Sequence, residues 1–327
     1  MKTTITSNGK PRCRVLCTLL LGIAALWALP SIARAQLFVN QSNVGSVGEY
    51  DATTGAAINA SFITGLNTPI LGLAISGHHL FVVHNSTTVG EYDATTGAAI
   101  NAGFITGLNG PLGLAVSGNT LFVTDNGTVG EYNATTGAAI NPRFITLSGP
   151  ADLAVSGNHL FVVHNSTTVG EYDATTGATI NANLITGLDT SFGLAVSGNH
   201  VFVTDFFGNT VGEYNAATGA AINLRFITGL DGPDGLTVSG NTLFVSSFGS
   251  GLAFPSGTVG GYDVTTGTAV NASFITGLNG PTGLAVGAVP EPSPLSLMIA
   301  GGPALLGVML RKNTASHRAS LSNCDGG

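Results

Sequence analysis

Residues 113–146 read GLAVSGNTLFVTDNGTVGEYNATTGAAINPRFIT, and this stretch decides the fold. It contains four short apolar runs, which begin at Gly113, Leu121, Val129 and Phe144. Their length and their β-branched or aromatic content predict four strands, which we name a, b, c and d in that order. The SGN between a and b predicts a tight hairpin turn. The NATTG between c and d predicts a second turn, in which the side chain of Asn or Asp closes the turn and Gly takes the left-handed conformation.

The same unit occurs six times along the chain at spacings of about 40 to 48 residues. Its strand c begins at Val47, Val89, Val129, Val169, Val211 and Val259. A repeat of this length with four strands predicts a propeller blade. The repeats start at strand b, Leu37, and end at strand a, Gly283 to Val286. One blade built from both ends of the domain would close the ring and leave no open sheet between the first and last repeats.

The sequence therefore predicts an all-β, six-bladed β-propeller over residues 36–288. The unit P-x-G-L-A-V-S-G-N-x-L-F-V-T-D resembles the NHL repeat, and less closely the YVTN repeat, of other propellers. This resemblance covers residues 37–286. It implies a fold but no particular activity, because propellers carry many unrelated functions.

Charge and cysteine content exclude several function classes. Between Gln36 and Val289 there are fifteen carboxylates and only two basic residues, Arg143 and Arg225. Nucleic-acid binding requires several Lys or Arg, so we expect no nucleic-acid partner. Residues 36–288 contain no cysteine, which excludes a disulfide framework and a cysteine nucleophile there.

The N-terminal 35 residues have the pattern of a secretory signal peptide. A basic region with Lys2, Lys10, Arg12 and Arg14 precedes an apolar run from Val15 to Leu29. Ala33 and Ala35 then form an A-x-A site, which predicts cleavage before Gln36. An uncleaved membrane anchor is the alternative.

The C-terminal region has the pattern of a second targeting segment. Val289-Pro290-Glu291-Pro292 is followed by an apolar run over 295–310 and by Arg311-Lys312, so residues 289–312 predict a membrane helix with a basic end. This segment resembles a PEP-CTERM sorting signal, which implies processing by an exosortase, a membrane transpeptidase, and a place at the cell surface or in an exopolysaccharide matrix. A polar tail, 313–327, follows, whereas members of that family usually end after the basic cluster. A plain inner-membrane anchor is the alternative.

A ring of residues just before strand a is predicted to line the mouth of the central channel, on the face that we call the top. These residues are Leu71, Leu112, Ala151, Phe192, Asp234 and Thr282. Asp152 replaces a glycine one position further on. Six-bladed hydrolases of the SMP-30 type resemble this fold and hold calcium or zinc at the channel. Asp152, Asp234 and His164 are the residues that a metal site would use here, but calcium wants six to eight oxygens and this rim is mostly apolar. We therefore expect no cofactor.

The b–c loops of two adjacent repeats are longer than the others and rich in phenylalanine. Together with the rim they predict an exposed aromatic patch beside carboxylates, suited to a sugar ring or an apolar peptide side chain. The candidate ligand-binding residues are Phe192, Asp205, Phe206, Phe207, Asp234, Phe248 and Phe254. Phenylalanines folded into their own blades are the alternative.

A glutamate recurs on strand c in five repeats, and we expect these side chains to form a solvated ring. They are Glu49, Glu91, Glu131, Glu171 and Glu213. None of the common catalytic motifs is present. The sequence thus favours an exported, non-catalytic interaction module with a polysaccharide or peptide ligand. The alternatives are a metal-dependent extracytoplasmic hydrolase or lyase and a structural spacer.

Overall fold

The computed structural model describes residues 34–249 and 256–289. They contain 24 strands in six four-stranded antiparallel sheets, and one compact unit spans Arg34–Val289. No helix among these residues is long and apolar enough to cross a membrane. The predicted signal peptide before Arg34 and the predicted sorting segment after Val289 lie outside the described residues.

Each sheet is one blade, and within it the strands follow the predicted order a, b, c, d. Blade 1 consists of β24 (Leu284–Val289), β1 (Arg34–Gln41), β2 (Ser46–Asp51) and β3 (Ala57–Ile63). Blade 2 consists of β4 (Ile70–Ser76), β5 (His79–His84), β6 (Thr88–Asp93) and β7 (Ala99–Ile105). Blade 3 consists of β8 (Leu114–Ser117), β9 (Thr120–Asp125), β10 (Thr128–Asn133) and β11 (Ala139–Thr146).

The other three blades repeat this arrangement. Blade 4 consists of β12 (Pro150–Ser156), β13 (His159–His164), β14 (Thr168–Asp173) and β15 (Thr179–Thr186). Blade 5 consists of β16 (Leu194–Ser197), β17 (His200–Asp205), β18 (Thr210–Asn215) and β19 (Ala221–Thr228). Blade 6 consists of β20 (Pro233–Ser239), β21 (Thr242–Ser247), β22 (Gly257–Asp263) and β23 (Ala269–Leu278).

Blade 1 closes the ring as predicted. Strand β1 pairs with the C-terminal β24 through the register Leu37↔Val286 and with β2 through Leu37↔Tyr50. Strand β1 begins at Arg34, two residues before the predicted cleavage site, but its pairing with β2 uses only Gln36 to Gln41.

The core lies between the blades, where the LFV motif of each strand b is fully buried. In five blades its phenylalanine packs on the phenylalanine of strand d, as in Phe81–Phe104 with ring centroids 5.3 Å apart, and in blade 4 strand d has Leu184 instead. The turn between c and d forms as predicted. Asp93 Oδ1 accepts hydrogen bonds from the backbone N–H groups of Thr95 and Thr96 at 2.9 and 2.8 Å, and Gly97 has φ of 72°.

The prediction of a solvated glutamate ring is wrong for four of the five glutamates. Glu49, Glu91, Glu171 and Glu213 are buried. Three of them accept a hydrogen bond from a histidine at the start of strand b, with Nδ1 to Oε1 distances of 2.6, 2.7 and 2.8 Å for His79–Glu91, His159–Glu171 and His200–Glu213. The alternating pattern of strand c does not predict this burial. In these three blades a half-exposed histidine of the neighbouring strand covers a carboxylate that would otherwise face water.

Candidate functional site: the channel mouth on blades 4 to 6

The inner strands surround a central channel with a cavity of about 480 Å³. All six residues that the sequence places at the rim line this channel: Leu71, Leu112, Ala151, Phe192, Asp234 and Thr282. The residue that directly follows each rim position is glycine in five blades and Asp152 in blade 4. A Cβ at Gly193 or Gly235 would collide with a backbone carbonyl oxygen of the following blade, so glycine allows the inner strands to approach closely.

Asp152 and Asp234 are the only charged side chains of the described residues that line the channel. Both are enclosed by protein, and their remaining surface faces the cavity. Burial raises the pKa of Asp152 to about 7, although hydrogen bonds from the backbone of Leu194 and Leu153 act in the opposite direction. Burial, and then the negative charge of Asp152, raise the pKa of Asp234 to about 7.

Asp152 is tied to the neighbouring blade. Its Oδ2 accepts a hydrogen bond from the backbone N–H of Leu194 at 2.9 Å, which joins blade 4 to blade 5. The carboxylate of Asp234 accepts no hydrogen bond from any described residue, and Asp152 is its only described electrostatic partner. The two carboxylates therefore differ. Asp152 links two blades, whereas the carboxylate of Asp234 lies at the rim without a hydrogen-bond partner among the described residues.

The predicted aromatic patch forms in part. Phe192, Phe206 and Phe207 make a ladder of edge-to-face contacts, with ring centroids 5.5 Å apart for Phe192–Phe206 and 5.3 Å apart for Phe206–Phe207. The ladder runs from the channel rim outwards, and Phe207 at its end is 70% exposed. A Cβ at Gly232 would lie 3.2 Å from the Phe206 ring, so the ladder packs against the loop that leads into Asp234.

The other predicted ligand-binding residues have different places. Asp205 closes the loop that presents the ladder, because its Oδ1 accepts a hydrogen bond from the N–H of Gly208 at 2.6 Å. Phe248 is half-buried and packs near Gly280 and Asn43, and it makes no ring contact with the ladder. Phe254 lies outside the described residues.

The three residues of the metal alternative do not come together. His164 ends strand b of blade 4, and its Nε2 lies 3.1 Å from the carbonyl oxygen of Ala182 on the outer strand. It does not line the channel. Within 34–249 and 256–289, no three His, Cys, Asp or Glu side chains group in a way that could hold a metal ion.

Sequence reasoning missed a set of polar side chains that join the blades. Thr124 is buried at the end of strand b; its Oγ1 accepts from the N–H of Gly113 at 2.7 Å and donates to the carbonyl of Ala151, in the next blade, at 2.9 Å. Thr204 makes the same pair of contacts between blades 5 and 6, and Ser246 makes them between blades 6 and 1. We call these contacts seam links. A signal existed: this position is polar in four of the six repeats, although it directly follows the apolar LFV run.

The seam links do not occur at every blade. Asn40 takes the role in blade 1, where its Oδ1 accepts from the N–H of Gly283 at 2.8 Å and its amide donates to the carbonyl of Leu71 in blade 2. Blades 2 and 4 have Val83 and Val163 instead. In blade 4, which also lacks the hydroxyl, Asp152 joins blade 4 to blade 5, whereas blade 2 keeps Gly72 at the equivalent position.

Comparisons with known proteins support the fold. No protein-family model matches the chain, and no curated protein matches it. A chain from the crystal structure of a nidogen/laminin complex aligns with a TM-score of 0.62 at 14% identity, over 79% of this chain and all of that chain. The computationally designed Ika8 protein aligns with a TM-score of 0.45 at 18% identity, over 75% of this chain and 73% of that chain. At these identities the likeness concerns the fold alone: the chain is a six-bladed β-propeller.

Proposed function

We propose that the protein is an exported, non-catalytic interaction module that binds a glycan at the channel mouth. The observation that carries this proposal is the Phe192–Phe206–Phe207 ladder, which begins at the channel rim and ends in a 70% exposed ring. A large exposed aromatic ring beside a concave mouth is typical of a binding site.

The surroundings of the ladder favour a sugar over an apolar peptide. A sugar ring needs one aromatic face and nearby hydrogen-bonding groups. The loops around the ladder supply such groups, among them the exposed side chain of Asn209. Only one ring of the ladder, that of Phe207, is largely exposed, which leaves little apolar area for a peptide side chain to cover.

A binding experiment on the full-length chain tests this function. Immobilised β-linked hexasaccharides of glucose, N-acetylglucosamine and glucosamine serve as probes. We expect capture on at least one of them, and loss of capture in Phe207→Ala. Ile58→Ala is the control, since Ile58 is also an exposed apolar residue, at 50%, and lies on the outer strand of blade 1. The proposal fails if no hexasaccharide is captured or if Phe207→Ala binds like the unchanged protein.

Export and processing belong to the same proposal and rest on the terminal sequence patterns. Cleavage before Gln36 is compatible with the propeller, because the six residues of β1 that pair with β2 would remain. We propose that an exosortase then acts in the segment that begins at Val289 and delivers the protein to the cell surface or matrix. Intact-mass analysis of the exported protein should give Gln36 as the first residue and loss of residues beyond the segment around Val289. A product that retains both termini would contradict this.

A further inference from the structure

The inference concerns the charge of the ligand and rests on the proposed glycan-binding function. The ladder and Asp234 belong to one surface. Phe192 and Asp234 occupy the same rim position in neighbouring blades, and both line the channel. Phe206 packs on Phe192, and its ring lies against Gly232, which is two residues before Asp234. A saccharide that follows the ladder from Phe207 to the rim therefore approaches this carboxylate.

No basic side chain among the described residues lines the channel beside this carboxylate. Arg143 and Arg225 are exposed on the outer strands β11 and β19, at the opposite side of their blades from the channel. The histidines of the described residues do not line the channel either. Asp234 accepts no hydrogen bond from the described residues, and its described electrostatic partner is a second carboxylate, Asp152. Two enclosed carboxylates without a cation favour a ligand that brings one.

The rest of the channel narrows the choice of cation. Apart from the two aspartates and Phe192, its lining residues are leucine, alanine, valine, isoleucine, glycine and two threonines, so the only other side-chain oxygens are the hydroxyls of Thr237 and Thr282. A bare divalent metal needs six or more oxygens close together, and no three His, Cys, Asp or Glu side chains group in this way among the described residues. An ammonium group on a carbon ring needs only a carboxylate and an adjacent apolar surface. The formal net charge of −7 also attracts cationic ligands from a distance.

We propose that the channel mouth selects amino sugars with a free ammonium group: the sugar ring lies on the phenylalanine ladder, and the ammonium pairs with Asp234. The natural ligand is then a polysaccharide with unacetylated amino-sugar units. Asp152 remains in its seam link and contributes negative charge from the second layer. The contact with Asp234 is a charge-assisted hydrogen bond, which is stronger than a contact with a neutral hydroxyl.

Calorimetric titration of the full-length chain at pH 7 tests the proposal with three hexasaccharides of the same linkage. They are built of glucosamine, N-acetylglucosamine and glucose, so that only the substituent at one carbon differs. We expect the glucosamine hexamer to bind about tenfold tighter than the other two, as the strength of a hydrogen bond between charged groups implies. Asp234→Asn should remove this preference without weakening the N-acetylglucosamine hexamer. Thermal unfolding checks that this isosteric variant folds.

Asp189→Asn is the matched control, because it removes the same charge from an exposed position on the same face. It should change the affinity for glucosamine less than twofold. If both variants lose affinity equally, the attraction is a non-specific effect of net charge, and the proposal is wrong. It is also wrong if the neutral hexamers bind as tightly as glucosamine, although glycan binding itself would then stand. Failure of all three hexamers would overturn both proposals.

Discussion

Blade 2 and blade 5 share their framework and differ on their top faces. Both contain a histidine–glutamate pair at the bottom of strand b and a phenylalanine pair between strands b and d, with centroids 5.3 Å apart in blade 2 and 5.2 Å apart in blade 5. At the top, blade 2 has Leu71 at the rim and blade 5 has Phe192. The b–c loop is residues 85–87 in blade 2 and 206–209 in blade 5.

This comparison teaches where the fold tolerates change. The loops join strands whose register is fixed by buried side chains, so their composition can vary without altering the blade. Asp152, Phe192, the Phe206–Phe207 loop and Asp234 all fall at the top of three consecutive blades. Divergence that concentrates on one sector of one face is the pattern of a binding site on a repeat scaffold.

The largest expected effect tests whether the two frameworks are equivalent. Phe81→Ala in blade 2 and Phe202→Ala in blade 5 each remove a fully buried ring and should lower the free energy of unfolding by about 3–5 kcal/mol. Denaturant unfolding followed by circular dichroism measures both. A loss in one blade that is less than half of that in the other would break the equivalence.

The second effect is a pH dependence that arises from carboxylates with raised pKa values, among them Asp234 at the channel rim of blade 6. The pKa of Asp234 is about 7 in the folded protein and 3.8 as its ordinary value, so the folded state binds the proton more tightly. The free energy of unfolding should therefore fall as pH rises from about 4 to about 7 and then level off. A shift of this size corresponds to about 4 kcal/mol for one isolated group. Asp152 and the buried Glu49, whose pKa is also raised to about 7, act in the same direction.

Asp234→Asn separates the contribution of Asp234 from those of Asp152 and Glu49. It should raise the free energy of unfolding at pH 8 and leave it almost unchanged at pH 4. The free energy of unfolding should therefore depend less steeply on pH than in the unchanged protein. Glu49→Gln, at the bottom of blade 1, should flatten another part without affecting ligand binding. Urea unfolding at a series of pH values measures these slopes. A wild-type protein that becomes more stable between pH 4 and pH 7 would contradict the assignment.

The third effect concerns the seam links, which blade 5 has and blade 2 lacks. Thr204→Val leaves the N–H of Gly193 and the carbonyl of Asp234 without their buried partner and should destabilise the protein by about 1–3 kcal/mol. Thr228→Val, an exposed position of the same blade, should change stability by less than about 0.5 kcal/mol. Equal effects of the two substitutions in thermal unfolding would show that the link contributes nothing.

The smallest effect returns to what both blades share. His79→Ala and His200→Ala each remove the donor to a buried glutamate, but the histidines are about half exposed and water can replace them. We expect a loss of about 1 kcal/mol in each case. His78→Ala in the same hairpin as His79 is the control, since His78 is exposed and its ring nitrogen contacts the hydroxyl of Thr95 and no buried glutamate. If the two histidine substitutions lower the free energy of unfolding by clearly different amounts, blades 2 and 5 differ in their strands as well as in their top loops.

The fold could be predicted almost completely, whereas the site could be predicted only in part. Strand order, blade number and ring closure follow from repeats whose neighbouring strands pair along the chain. The rim residues followed too, because they have a fixed position relative to strand a. Phe248 was misplaced in the patch, since its loop position does not show that it turns towards Gly280. The glutamates were expected in water because a strand pattern does not reveal a histidine that covers them.

The sequence by itself determined the architecture, because each hydrogen-bonded strand pair joins segments that are adjacent in a repeat, or the two ends of the repeat array. Only the tertiary structure decided which side chains meet between blades. Asp152 reaches Leu194 across 42 residues, and Phe206 rests on the loop before the next blade. Such contacts depend on how far each blade is rotated against its neighbour, and that angle is set by the packing of all six blades around the channel.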